Sequence, residues 1–291
     1  MKPTILPSLI TLLVLLSSCQ AQAQKREFKE EIRREFTLTA DPGRSTLAIY
    51  NIDGPVRVQG TTGNKVVLEV TRIIRADTEA DLALGKQEAV LGAYQRNDSV
   101  VAYLAGPYDS RPGFNRNRNS SRRDIDYHFT FEYVVKVPAR MHLTVSTINN
   151  GAVLVQDVSG PLKARNINGA VTLRNVKGAT EVGTINGNVV AEYGSSPTGK
   201  CSYSTINGDI LVTYPADVAA DVHFKSMHGE LLTDFPNVEN LPVQVVQNKT
   251  STTAGTTYKL SKGTAVRLGK GGNDFRFETL NGDVTIKRRP E

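Results

Sequence analysis

Residues 148–187 read INNGAVLVQDVSGPLKARNINGAVTLRNVKGATEVGTING, with glycines at 151, 160, 169, 178 and 187, each nine residues from the last. Two kinds of unit alternate. One ends in Asn-Gly (Asn150-Gly151, Asn168-Gly169, Asn186-Gly187), and the other reads Asp157-Val158-Ser159-Gly160 and Asn175-Val176-Lys177-Gly178. The true period is therefore eighteen. Asn and Gly tolerate positive φ, so each Asn-Gly pair can turn the chain sharply. After each turn hydrophobic residues alternate, Val153 with Val155 and Val171 with Leu173, as in a half-buried strand. Nine residues hold one strand and one corner and leave no room for a helix.

The pattern extends in both directions with drift. Asn207-Gly208 arrives twenty-one residues after Gly187, Ser226-Met227-His228-Gly229 after another twenty-one, and Asn281-Gly282 returns near the end. Asn51-Ile52-Asp53-Gly54 announces the same unit near the start. The half-turns could fold back as a meander of hairpins, or coil in one direction with strands stacking between turns. Two alternating kinds of unit favour coiling, since a hairpin chain gives its units no reason to differ. The reading is an all-β, single-stranded β-solenoid, β-helix-like, with about 18–21 residues per turn. Stacking would align Asn150, Asn168, Asn186, Asn207 and Asn281 in one column, each beside its turn glycine, so that side-chain amides bond from turn to turn. In that register Cys201 shares the column of Leu162 and Thr180 and faces inward as a small core residue.

Before the repeat, residues 25–39 alternate charges with Phe28, Ile32, Phe36 and Leu38. Strands are expected at 46–50, 55–59 and 65–74, then one short helix near 78–91 that starts at Asp77-Thr78-Glu79. Another strand follows over Ser99–Leu104. Phe129, Phe131, Tyr133, Val135 and Val137 line one face of a long strand ending at Pro138. Between these two strands lies a loop, 105–125, with Arg111, Arg116, Arg118, Arg122 and Arg123 and no acid among them. The chain divides into a leader (1–23), an N-terminal β region (25–140) and the repeat (141–291), the last two read as continuous.

The leader has Lys2, an apolar run Ile5–Leu16, and then Ser17-Ser18-Cys19 and Ala21-Gln22-Ala23. The run is too short for a bilayer, which needs about 20 residues, and reads as a secretory signal. Leu16-Ser17-Ser18-Cys19 resembles a lipobox that would make Cys19 a lipidated first residue, while Ala21-Gln22-Ala23 fits ordinary signal peptidase. Either places the chain outside the cytoplasm: in the periplasm, as an outer-membrane lipoprotein, or at the cell surface. The 291 residues carry a formal charge of +6. Loss of Lys2 with the leader leaves +5, and the five loop arginines match that remainder, so the rest of the body is formally neutral. The basic balance therefore marks one loop and does not argue for a nucleic-acid-binding face.

The Asn51–Val58 unit, the helix near 78–91, the long strand ending Val137-Pro138 and the iterated Thr-Ile-Asn-Gly turns together resemble one family. So do Tyr214-Pro215-Ala216-Asp217, leading to Met227-His228-Gly229, and the ending Leu280-Asn281-Gly282-Asp283-Val284. It is the bacterial envelope family named "putative adhesin" with β-strand repeats, a domain of unknown function, whose sister group is the head-GIN "putative autotransporter adhesins". The resemblance covers about residues 28–288 and implies an all-β stacked-strand fold at the cell envelope, with no catalytic residues to carry over. His228 departs from the Asn usual in its turn.

Other motifs carry little chemistry. Gly194–Cys201 is one residue from a phosphate-binding loop, but Cys201 stands where the magnesium-ligating Ser or Thr belongs and no helix follows. His128, His142, His223 and His228 are scattered, without metal-ligand spacing. Asp209, Glu230 and Asp283 share the position after the turn glycine. Stacked carboxylates of this kind bind calcium in some polysaccharide-cleaving β-helices, yet Ala152, Ala170 and Asn188 occupy the matching positions. The expectation is a non-enzymatic envelope protein without cofactor or metal, a surface scaffold for a protein or glycan, with the five loop arginines as the candidate anionic contact and membrane contact only through a lipid at Cys19. The alternatives are a regulatory or envelope-stress accessory protein that binds a membrane partner, and, less favoured, the calcium-dependent polysaccharide-cleaving enzyme.

Overall fold

The computed structural model describes residues 25–107, 109–113, 125–242, 246–252, 255–261 and 264–290. The leader, Cys19, Arg116, Arg118, Arg122 and Arg123 lie outside them. The chain opens with β1 (Arg26–Thr37), β2 (Thr46–Tyr50), β3 (Val56–Thr61) and β4 (Lys65–Ala76). Helix α1 (Glu79–Glu88) follows, with Thr78 as its N-cap accepting the Asp81 N–H and with Glu79 and Asp81 in its positive first turn. The helix is shorter than the 78–91 expected, because Val90 already belongs to a strand. Next come β5 (Val90–Arg96), β6 (Ser99–Ala105) and β7 (Tyr127–Pro138).

The repeat supplies short strands of three to six residues: β8 (His142–Ser146), β9 (Val153–Gln156), β10 (Leu162–Arg165), β11 (Val171–Val176), β12 (Thr180–Gly183) and β13 (Val189–Tyr193). It continues through β14 (Cys201–Ser204), β15 (Ile210–Tyr214), β16 (Ala220–Lys225) and β17 (Leu231–Thr233). Last are β18 (Glu239–Asn240), β19 (Val246–Thr252), β20 (Gly255–Ser261), β21 (Thr264–Leu268), β22 (Asn273–Glu278) and β23 (Val284–Arg288).

The architecture is all-β, with two large sheets. One runs β1-β4-β7-β3-β9-β11-β13-β15-β23-β17, the other β18-β21-β16-β22-β14-β12-β10-β8-β2-β6-β5, and β19 and β20 form a separate hairpin. From β8 to β15, successive strands alternate between the sheets, and each pairs in parallel with the next strand but one: Val153 with Val171, Val171 with Val189, Leu162 with Thr180. A meander would have paired neighbours antiparallel. Matching the two sheet orders gives eight rungs among the described residues, each a strand of one sheet joined to a strand of the other.

The order of the rungs departs from the order of the chain at two places. The 46–61 rung lies directly beside the 142–156 rung, with Thr46 opposite His142 and Val56 opposite Val153. Residues 62–138 loop out and return to form the rung beyond it. At the other end the C-terminal rung slots between two earlier ones: β22 pairs with both β14 and β16, and β23 with both β15 and β17. The turn at 226–229 is thus the end of the stack, one rung beyond Asn281.

Inner-face side chains of both sheets form one core cluster. Its densest part is aromatic. Tyr193, Tyr203, Tyr214, Phe275 and Phe277 are fully buried, and the Tyr214 and Phe275 rings stack 5.0 Å apart. Their hydroxyls are satisfied inside the core: the Tyr193 and Tyr203 oxygens lie 2.7 Å apart, those of Tyr203 and Tyr214 3.1 Å, and the Thr180 hydroxyl donates to Tyr203 at 3.2 Å. Burial pushes all three tyrosine pKa values well above the usual phenol range. Cys201 is buried in the Thr180 column, as its register required, with its sulfur 3.4 Å from the Tyr193 hydroxyl.

Candidate binding edge

Among the described residues, the turns that lead from the second sheet to the first lie along one edge of the stack, and the Thr-Ile-Asn-Gly tetrapeptides form it. Each residue of the tetrapeptide has its own duty. The buried first residue reaches back to the previous rung's turn: Thr147 Oγ1 donates to the Gly54 carbonyl, Asn166 Nδ2 to Gly151, Thr184 Oγ1 to Gly169 and Thr205 Oγ1 to Gly187, all at 2.9–3.0 Å. The glycine lies against the preceding turn's backbone. At Gly187, φ is +158° and an added Cβ would sit 2.4 Å from the Gly169 carbonyl oxygen, so no side chain fits.

The third residue builds the amide ladder. Nδ2 donates to the Oδ1 of the preceding rung from Asn168 to Asn149, Asn186 to Asn168, Asn207 to Asn186 and Asn281 to Asn207, at 2.8–2.9 Å. Asn168, Asn186, Asn207 and Asn281 are therefore ladder residues, with Gly169, Gly187, Gly208 and Gly282 behind them. Asn150 is not, and Asn149 takes its place. The Ile148-Asn149-Asn150-Gly151 turn holds one residue more than the others, and Asn150 absorbs it in a left-handed conformation, φ +53°. Its amide pairs instead with the Asp53 carboxylate at 2.6 Å. Gly151 remains packed against the Gly54–Pro55 backbone. His228 stacks beyond Asn281, so the column of Asn side chains runs directly from Asn207 to Asn281.

The second residue of each tetrapeptide points outward. Ile167, Ile185, Ile206 and Leu280 are exposed on successive rungs, Ile206 by 41%, and Met227 on the last rung by 71%. Ile52 and Ile148 continue the column half-buried. In the sequence these residues pass for turn filler; the one signal for them is the regular Ile between Thr and Asn. A groove of about 530 Å³ follows the column, lined by Ile148, Ile167 and Ile185 from the turns and by Arg165, Glu181 and Ser204 from the strands.

The position after the glycine forms another column. The Asn188 Oδ1 accepts the Asp209 N–H, Asp209 Oδ1 the Asp283 N–H, and Asp283 Oδ1 the Glu230 N–H, at 2.9–3.0 Å. The insertion separating Glu230 from Asp283 in the sequence thus vanishes in space. Each of Asp209 and Asp283 spends one oxygen on the next rung's backbone.

The arginine loop lies between β6 and β7 in the chain, and of it residues 106–107, 109–113 and 125–126 are described. Arg111, the candidate within the described residues, is already engaged: its guanidinium forks onto Asp109 at 3.0 and 2.6 Å and lies 4.2 Å over the Tyr103 ring. The fork holds the buried Asp109 carboxyl below its usual pKa and raises that of Arg111. Arg111 therefore anchors the loop base.

The second sheet carries ion pairs between rungs (Glu181), between β16 and β21 (Asp221) and along β22 (Asp274). Glu181 accepts from Arg165 at 2.5 Å and Lys163 at 3.0 Å, Asp221 from Arg267 at 2.7 Å and Asp274 from Arg276 at 2.9 Å. Each carboxyl is lowered by those partners, Arg165 first for Glu181. Of the histidines, His128 and His228 are exposed, and His223 lies 3.7 Å from Asp274. Among the described residues no helix is long and apolar enough to cross a membrane.

No protein-family profile matches the chain, and no curated protein does. Among solved structures it is similar to a "putative cell adhesion protein" from Clostridium sporogenes, at 13% identity over 89% of this chain and 100% of that one, TM-score 0.37. It is also similar to a "putative adhesin" from Bacteroides fragilis, at 10% identity over 89% and 97%, TM-score 0.30. A third is a "putative lipid binding protein" from Parabacteroides distasonis, at 7% identity with the same coverage and TM-score 0.30.

Proposed function

We propose that the chain is a non-enzymatic binding scaffold of the cell envelope. We read it as a β-solenoid in which each turn of about 18–21 residues gives one strand to each sheet. Its working surface is the tetrapeptide edge, which meets an envelope protein or an acidic glycan. The observation that carries this reading is the column Ile167, Ile185, Ile206, Leu280 and Met227, exposed on consecutive rungs beside a bonded amide ladder. Stacked apolar side chains on a rigid backbone bind at little ordering cost, and contiguous exposed apolar surface marks interaction sites. The loop arginines, between β6 and β7 in the chain, add attraction for an anionic partner. Cys19 is the lipid anchor, and loss of palmitate label in Cys19→Ala is the expected result.

The test immobilises the protein and passes lipopolysaccharide and polygalacturonate over it with calcium. Binding is expected, weakened at least about tenfold by Ile167→Ser/Ile185→Ser/Ile206→Ser in a protein of unchanged circular dichroism. Cleavage of the polysaccharide that is abolished by Asp209→Ala would overturn the non-enzymatic reading.

A further inference from the structure

β1 ends the first sheet and, among the described residues, pairs only with β4. Its other edge is twelve residues of backbone whose outward N–H and C=O groups no described strand meets, a geometry that invites pairing with another chain. Charges on an edge strand normally discourage such pairing. Here they form a palindrome. Phe28-Lys29-Glu30-Glu31-Ile32-Arg33-Arg34-Glu35-Phe36 reads, from Ile32 outward, Glu against Arg, Glu against Arg, Lys against Glu and Phe against Phe.

We propose that two copies of the chain join antiparallel along β1, about a two-fold axis through Ile32. Each Glu31 then faces Arg33 of the other copy, each Glu30 faces Arg34, each Lys29 faces Glu35, and Phe28 faces Phe36. All six charge pairs are opposite in sign. The axis preserves odd and even positions, so the half-buried Phe28, Ile32 and Phe36 face of one copy continues that of the other. Moving the axis to residue 31 sets Lys29 against Arg33 and Glu27 against Glu35. Moving it to residue 33 sets Glu31 against Glu35 and Arg33 against itself. Moving it by half a residue turns the apolar face onto the charged one. One register alone is free of these conflicts, and a two-fold interface of this kind closes on itself.

Ion pairs within the chain point the same way. Glu27 meets Arg75, Glu30 meets Arg72, Arg33 meets Glu69 and Glu35 meets Lys65. Among the described residues Lys29, Glu31 and Arg34 have no ion-pair partner. Each of those three gains its first ion-pair partner across the axis. The rows then alternate in sign, Lys65–Glu35–Lys29, Glu69–Arg33–Glu31 and Arg72–Glu30–Arg34, the last residue of each belonging to the second copy. The two ten-stranded sheets become one continuous sheet.

Sedimentation equilibrium of the purified chain tests this. A dimer is expected, with its dissociation constant rising several-fold between about 0.05 and 0.5 M salt. Glu31→Arg sets two arginines opposite each other on either side of the axis, and Arg33→Glu sets two glutamates there. Each variant alone should therefore dimerise at least about tenfold more weakly. An equimolar mixture of the two restores both pairs and should give a heterodimer of near wild-type affinity, which also reports that each variant is folded. Lys29→Glu, opposing Glu35, is a further variant with the same expected loss. A wild-type monomer at every concentration would overturn the proposal. So would variants that dimerise as tightly as wild type, or folded variants whose mixture does not associate. Pairing with an unrelated strand in place of a second copy would appear as the first of these outcomes.

Discussion

Gly187 shows how tightly a single residue is constrained. A methyl group there would sit 2.4 Å from the Gly169 carbonyl oxygen, and the neighbouring rung cannot retreat without breaking its own ladder. Gly187→Ala should cost about 2 kcal/mol or more in urea denaturation. Asn186→Ala removes one ladder bond at an exposed site and should cost only about 1 kcal/mol. A larger loss for Asn186 than for Gly187 would mean that the amides, not the backbone contact, hold the rungs. These duties are legible in the sequence, because a repeated Asn-Gly after Thr-Ile admits few conformations. The choice of Asn149 over Asn150 is not. It depends on which residue of a five-residue turn takes the left-handed conformation, and Asn favours that conformation at either place.

At the scale of elements, the strands themselves can be read from alternation, but the order in which they stack cannot. The eighteen-residue period tells a strand its neighbour only where the chain passes directly from one rung to the next. After 214 an insertion intervenes, and β22 and β23, not 220–233, pair with β14 and β15, where Phe275 and Phe277 complete the tyrosine cluster. β5 is hidden in the sequence because Val90-Leu91-Gly92-Ala93 continues the apolar stripe of α1. The rung order makes a direct prediction. Adjacent strands lie about 4.8 Å apart, within disulfide reach, whereas two spacings exceed it. Asn207→Cys/Asn281→Cys should therefore oxidise to an intramolecular disulfide, seen by peptide mapping, and Asn207→Cys/His228→Cys should not. The opposite pattern would place the rungs in chain order.

For the molecule as a whole, Glu181 joins two rungs through Arg165, Asp221 ties β16 to β21 through Arg267, Asp274 pairs with Arg276 along β22, and Asp109 holds the loop base through Arg111. Their pKa values are lowered in the folded chain, so the stability they contribute is present above the unfolded carboxyl range, about 4, and is lost as pH falls through the lower folded values. The melting temperature should be flat from about pH 8 to 5 and fall below about pH 4; a fall beginning near pH 6 would assign the transition to histidines. Neither two-sheet construction nor acid sensitivity explains why one edge carries a column of bare aliphatic side chains. We assign that column to a partner, and hydroxyl-radical footprinting in intact cells against the purified protein tests this most directly. Ile167, Ile185, Ile206, Leu280 and Met227 should be protected in the cell while Leu232, exposed on β17, is oxidised equally in both. Equal oxidation of all six residues would contradict the assignment.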